Sequence, residues 1–305
     1  EDDMGRTTKP RFAIGVLILS LGLAPLFAAP TMAQADENLH FVAELGDGVG
    51  KDIDELDQGL DTWWQRHDTA NQAGTYAIVD EPVNEGSAHS LQLAVDAADE
   101  QARAVAYYPA AEQPGLDEFF DSGLDYTLYV DDGDLAAATQ LVVEVQYGWD
   151  GAAPRSTTLA LLPDQNSDAD GNPLALRTWQ TFAWADDSQT YSSADDDVDT
   201  LANQIQQIYD QAGSDGSDAV DPVVVGVGLN LGPDAAEAVS TYVDQVTVGS
   251  DTYKFGEDPR PILTEWPEQA ARGDTVTVTG KNLADVTVQL NGAGVVDATW
   301  NDEGT

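Results

Sequence analysis

From Thr75 onward the chain repeatedly places apolar side chains at every second position, in short runs separated by Gly, Asp, Ser and Pro. Successive side chains of a strand point to opposite faces, so a period of two buries one face and wets the other. Such runs cover Thr75–Val79, Ser90–Val95, Ala102–Tyr108, Asp125–Val130, Gln140–Tyr147, Thr157–Leu162 and Thr178–Trp184. Leu91, Leu93 and Val95 share a face, as do Tyr126, Leu128 and Val130, and Leu141, Val143 and Val145. The run Val223–Leu231 is apolar on both faces and carries glycines, which marks a strand covered on both sides. One strand in roughly 10–20 residues, with turn residues between, predicts a β-sandwich.

Two stretches depart from that rhythm. Val198, Leu201, Ile205, Ile208, Tyr209 and Ala212 recur at helical spacing and Gly213 supplies a stop, so one amphipathic helix is inserted among the strands. Thr241 to Phe255 reads as a hairpin turning at Gly249-Ser250. Within it Tyr242, Asp244, Val246 and Val248 share one parity, which places an aspartate among apolar neighbours, where it needs a cation or a hydrogen-bond partner. Beyond Pro261 a second pattern starts, with strands at Thr275–Thr279 and Asp285–Leu290. Two strands cannot bury a sandwich core, so the expectation is a module cut off part-way within a longer protein.

Charge restricts the partners. The chain has 12 Lys and Arg against 55 Asp and Glu, a formal net charge of -43. Such a surface repels itself in dilute buffer, whereas at 1 M salt the Debye length falls to about 3 Å. With 42% hydrophobic residues, the reading is a folded protein adapted to high salt, as in a halophile. No basic face is available for phosphate, so nucleic acid is excluded as a partner. The chain has no cysteine, which removes disulfides, thiol nucleophiles and zinc–thiolate sites. Near the start, Arg6, Lys9 and Arg11 precede an apolar run from Phe12 to Phe27, and Ala33-Gln34-Ala35 offers small residues for cleavage. This predicts a signal peptide over residues 1–35, a secreted or cell-surface product, and no membrane insertion after signal cleavage; the alternative, since no charge falls between Phe12 and Ala35, is a retained membrane anchor.

Several motifs then occur in a telling order: Gly59-Leu-Asp-Thr-Trp63, Glu85-Gly-Ser-Ala-His-Ser-Leu-Gln-Leu93, Leu124-Asp-Tyr-Thr-Leu-Tyr129, Thr178-Trp-Gln-Thr-Phe182 and Tyr242-Val-Asp-Gln-Val-Thr-Val248. Their sequence resembles the jelly-roll, galactose-binding-like domains common among carbohydrate-binding modules. That resemblance implies two antiparallel sheets and a structural calcium near the aspartate of the last motif, here Asp244. Residues 186–221, with the helix and acidic loops, depart from the pattern. The tail, with Pro261-Ile262, Pro267, Gly273-Asp-Thr-Val276 and Thr279-Gly-Lys-Asn-Leu283, resembles the opening strands of an IPT/TIG immunoglobulin-like domain. The expected division is a signal peptide at 1–35, a jelly-roll β-sandwich at 36–257 and an incomplete Ig-like module at 258–305. The fold class is all-β: a jelly-roll sandwich with one inserted amphipathic helix, then the first strands of an Ig-like sandwich.

Two constellations are candidate sites. Asn166, Asp168 and Asp170 precede Gly171 at alternate positions, as oxygen ligands do in calcium loops, although Arg177 stands where an EF-hand needs glutamate. They join Asp244 as candidate calcium ligands. Aromatic faces suit the C–H surfaces of sugars, and Trp149, Tyr147, Tyr107 and Trp64 are the candidate glycan platform. Trp149 leads because Tyr147-Gly-Trp-Asp-Gly151 reads as a turn, whereas Trp179 lies in a strand and reads as packing. Catalysis has no foothold: His40, His67 and His89 show no metal spacing, and neither a nucleophile elbow nor a phosphate loop is present. The expected function is non-catalytic binding of a polysaccharide or cell-surface glycan, or adhesion, with a structural calcium, beside other domains of a longer surface protein. A purely structural spacer or assembly unit, and an accessory domain of an exported hydrolase whose catalytic part lies beyond Thr305, are the alternatives.

Overall fold

The computed structural model describes residues 38–48, 51, 56, 58–66, 74–85, 87–96, 101–150, 153–193, 197–213, 221–231, 238–258, 262–265 and 279–281, the last two segments and residues 149, 150, 153 and 154 by backbone alone. The expected leader and most of the Ig-like module lie outside these residues. Asn38–Asp258 forms one compact unit.

Its elements begin with β1 (Leu39–Val42), β2 (Gly46–Asp47), β3 (Trp64–Gln65), β4 (Thr75–Val79), β5 (Ser90–Val95) and β6 (Ala102–Tyr107). A short helix α1 (Leu116–Asp121) leads into β7 (Leu124–Asp132), β8 (Gln140–Asp150) and β9 (Ala153–Leu161). Then come β10 (Gln180–Ala183), β11 (Gln189–Ser192), β12 (Asp197–Thr200) and helix α2 (Leu201–Gly213). The unit closes with β13 (Val223–Leu231), β14 (Val239–Val248) and β15 (Asp251–Phe255).

These strands form a sandwich of two sheets, as the alternation predicts. The first sheet runs β1-β15-β14-β5-β4, and β14 also pairs through β7 to β10. The second runs β12-β11-β9-β8-β13-β6-β3-β2. The pairs are antiparallel except β1 with β15 and β2 with β3. Leu91, Leu93, Tyr126, Leu128 and Phe182 from the first sheet meet Leu141, Val143, Leu159 and Leu229 from the second in one cluster. Burying each such side chain is worth about 1.5–3 kcal/mol, which is what holds the faces together. The apolar run of β13 is central, between β8 and β6. Its Gly226 and Gly228 leave room for the ring of Tyr107 and for Val105, which a Cβ would meet at 2.8 and 2.9 Å.

The helix begins later than its periodicity implies. Val198 belongs to β12, whose Asp197–Thr200 pairs with β11, and it is exposed. Strand pairing consumed the first turn of the apparent helical pattern. From Leu201 the helix buries Leu201, Gln204 and Ile208 and packs on β8, β11 and β12.

The terminal hairpin turns at Gly249-Ser250 as expected, with Gly249 at φ 61°, a conformation suited to the tight hairpin turn. Its parity differs from the sequence reading. Val243 pairs with Leu128 and Gln245 with Thr127, so Asp244 is an extra residue, a β-bulge. The bulge changes phase: Val239, Val243, Val246 and Val248 all join the core, and Tyr242 faces outward with Gln92. On its other edge β14 pairs with β5 through Val243 and with β15 from Gln245, so Asp244 stands where the partner strand changes.

Separately, strands β16 (Ile262–Glu265) and β17 (Thr279–Lys281) pair antiparallel with one bulge.

Candidate functional site

The outer face of the first sheet carries a continuous cross-strand row. Ala77 of β4 pairs with Gln92 of β5, Gln92 with Tyr242 of β14, and Tyr242 with Tyr129 of β7. Gln180 begins β10 opposite Leu128, which sets the preceding Trp179 beside Tyr129. The Tyr129 and Trp179 rings lie 5.2 Å apart at 44°, and Tyr129 and Tyr242 lie 5.9 Å apart edge to face. Trp179 and Tyr129 are half-buried, whereas Tyr242 at 9% exposure forms the floor. Gln92 fixes that floor, its Nε2 donating to the Tyr242 hydroxyl at 3.0 Å and to Ser240 at 3.1 Å.

A polar row runs alongside. Lys254 pairs with Gln245 and Gln245 with Thr127, whose hydroxyl bonds that of Thr181 at 2.9 Å. One step further, Asp125 takes a hydrogen bond from Thr247, and its carboxyl is raised above the usual range because burial outweighs that bond. Aromatic surface with amide and hydroxyl groups in the next register can hold a polyhydroxylated ligand by stacking and hydrogen bonding.

The four sequence candidates for the platform do not assemble there. Tyr107 is 1% exposed, and its hydroxyl donates to Glu144 at 3.3 Å; burial raises its pKa, with the Glu144 charge adding to it. Trp64 packs against the Val105, Tyr107 and Leu56 cluster on the outer side of the second sheet, under Lys51 at 5.2 Å. The neighbouring Tyr108 is partly buried and its pKa is pushed up to about 12 by burial and the Asp251 charge. Tyr147 is 5% exposed in the main core, its hydroxyl donating to Gln211 of α2 at 2.9 Å. The backbone of Trp149 belongs to β8 opposite Pro154, past a register shift at Gly148, so its position is a strand rather than a turn; its side chain lies outside the described residues.

The sequence therefore missed Tyr129, Tyr242 and Gln92 and discounted Trp179. Cross-strand register, which places residues 77, 92, 242, 129 and 179 in one line, is not written in any local run. The signal available was parity: Tyr129 and Trp179 are aromatic at the polar phase of apolar-alternating strands.

The candidate metal ligands also separate. Asn166 donates from Nδ2 to the Leu162 and Gln189 carbonyls and accepts from the Gln189 amide. Asp168 accepts from the Asp170 and Asn172 amides on one oxygen and from Gln180 on the other. Led by the Gln180 bond, these donors lower its pKa. Both side chains are thus spent on the loop, and Asp170 is exposed. Asp244 differs: it is 1% exposed and its Oδ1 has no hydrogen-bond partner. Among the described residues no three His, Asp or Glu side chains gather as a metal site.

No protein-family model matches the chain, and no curated protein matches it. Solved structures similar to it include a family 30 carbohydrate-binding module, at 10% identity and TM-score 0.33 over 66% of this chain and 80% of that one. Another is the family 30 module of a cellulosomal cellulase from Clostridium thermocellum, at 10% identity and TM-score 0.31 over 57% and 82%. A cellulose-induced protein is 12% identical, with TM-score 0.32 over 64% and 94%. Likeness at these scores decides neither fold nor ligand; the fold rests on the strand pairing above.

Proposed function

We propose that Asn38–Asp258 is a non-catalytic carbohydrate-binding module of a secreted or cell-surface protein. The observation that carries it is the row Gln92–Tyr242–Tyr129–Trp179 with the parallel row of amide and hydroxyl groups. Stacking on Trp179 and Tyr129 would orient the sugar plane, and Gln245 and Thr181 would bond its hydroxyls. The net charge of -43 supports adaptation to high salt, and the sequence motifs beyond Pro261 support an Ig-like tail. Calcium belongs to this proposal at Asp244, whose unpartnered oxygen is the supporting observation; backbone carbonyls would have to complete its oxygen shell. If bound, the ion would neutralise that carboxylate.

The test is titration with soluble neutral and uronic-acid oligosaccharides in molar salt. Trp179→Ala is expected to weaken binding by roughly 10–100-fold, the worth of one aromatic anchor, while Trp64→Ala leaves it unchanged. Equal affinity of wild type and Trp179→Ala would remove this face as the site. A purely structural role is favoured for the opposite face, where Tyr107 is buried.

A further inference from the structure

Arg177 stands beside the aromatic row in a conformation that the fold does not require of an arginine. Its φ is 57°, and it is alone among the described non-glycine residues with a positive φ. A side chain there is disfavoured by contact between Cβ and the carbonyl, and such outliers gather at ligand clamps. The segment is held on both sides. The Arg177 amide donates to the Val130 carbonyl at 2.7 Å. Gln180 accepts from the Ala175 amide at 2.7 Å and donates to Asp168 at 2.8 Å. All of these would survive in glycine, which adopts the same φ without strain.

The guanidinium adds little to the fold either. Its Nε lies 3.2 Å from the Asp131 carbonyl and 3.4 Å from the Asp131 carboxylate. The two side chains are 68% and 44% exposed, so the pair is worth little to stability. Asp131 is two residues along β7 from Tyr129, and Trp179 is two residues after Arg177. Leu176, 44% exposed, is on the same rim. The Nη nitrogens, bonded to no described residue, are left as donors in a fixed fork. Asp131 is paired beside them, and the whole chain is strongly acidic, so a carboxylate or sulfate on the ligand would be repelled.

We propose that Arg177 is a specificity-determining residue of this face, donating from its guanidinium to the hydroxyls of a neutral sugar stacked on Trp179. This rests on the carbohydrate reading of the face. The experiment compares wild type, Arg177→Gly, Arg177→Lys and Trp179→Ala. Each is titrated in molar salt with a neutral β-linked glucose hexamer and a uronic-acid hexamer, alongside thermal melts. Arg177→Gly is expected to lose about tenfold in affinity for the neutral hexamer while its Tm holds or rises by up to about 3 °C. Arg177→Lys keeps the charge without the fork and loses affinity as well. A structural role would instead lower Tm and affinity together. Arg177→Gly binding like wild type, with Trp179→Ala impaired, overturns the assignment and leaves the platform standing. Tighter wild-type binding of the uronic-acid hexamer overturns the neutral-sugar choice. If Trp179→Ala also binds like wild type, the platform fails and the Arg177 assignment with it.

Discussion

The two outer faces of this sandwich use aromatic residues in opposite ways. On the first sheet Trp179, Tyr129 and Tyr242 stand in register with neutral amides and hydroxyls. On the second, Tyr107 is buried beside Glu144, Arg66 lies 5.8 Å from its ring, and Lys51 covers Trp64. Arg103 donates to the same Glu144 at 2.6 Å. Lys51 and Arg66 thus cap the aromatics of one face, whereas among the described residues no cation lies over the Trp179, Tyr129 or Tyr242 ring. Aromatic content alone marks neither face as a site. What distinguishes them is whether a cation already covers the ring.

That contrast can be broken by substitution. The largest effect is expected for Glu144→Ala, which strands Arg103, a half-buried guanidinium, and the Tyr107 hydroxyl without their shared acceptor. A loss of about 2–3 kcal/mol should appear in denaturant unfolding, with sugar affinity unchanged. If affinity falls instead, the second face is the functional one. Next is calcium: at about ten times its dissociation constant it should raise the wild-type Tm by roughly 2–5 °C and leave Asp244→Ala unmoved. Equal responses would remove the ion from Asp244. The smallest effect concerns Asp125 beneath the polar row. Its folded pKa is raised by burial, so its contribution is favourable below the ordinary aspartate range and lost as pH rises through the folded value. Asp125→Asn should therefore gain on wild type by less than about 2 °C in Tm at neutral pH, and the gain should vanish in acid.

Much of the fold was legible because alternation is a local signal. Leu91, Leu93 and Val95 face the core as their spacing requires, and the β14–β15 turn falls at Gly249-Ser250. Two features hid from that signal. At Asp244 one inserted residue moves the phase, so Tyr242 seems to share a face with Val246 and Val248 when it does not. At Val198 a strand residue happens to sit one turn ahead of a true helix, and only pairing with β11 shows which pattern wins. The site was less legible than the fold. Its row joins residues from 77 to 242, and such a line exists only once five strands are in register. Burial of Tyr107 beside Arg66 and Glu144, and of Tyr147 in the core, was equally invisible, since an aromatic looks the same in sequence whether or not other side chains cover it.

The parallel pairing of Leu39–Val42 with Thr252–Phe255 also sets an order in time. The first strand of the unit can find its partner only after the last one has left the ribosome. At typical synthesis rates that interval is on the order of 10–40 s, far longer than hairpins need to form. During it His40 lacks Asp251, against which its ring nitrogen lies 3.3 Å away in the finished fold. Until the last strand is made, Leu39–Val42 therefore has no strand to pair with.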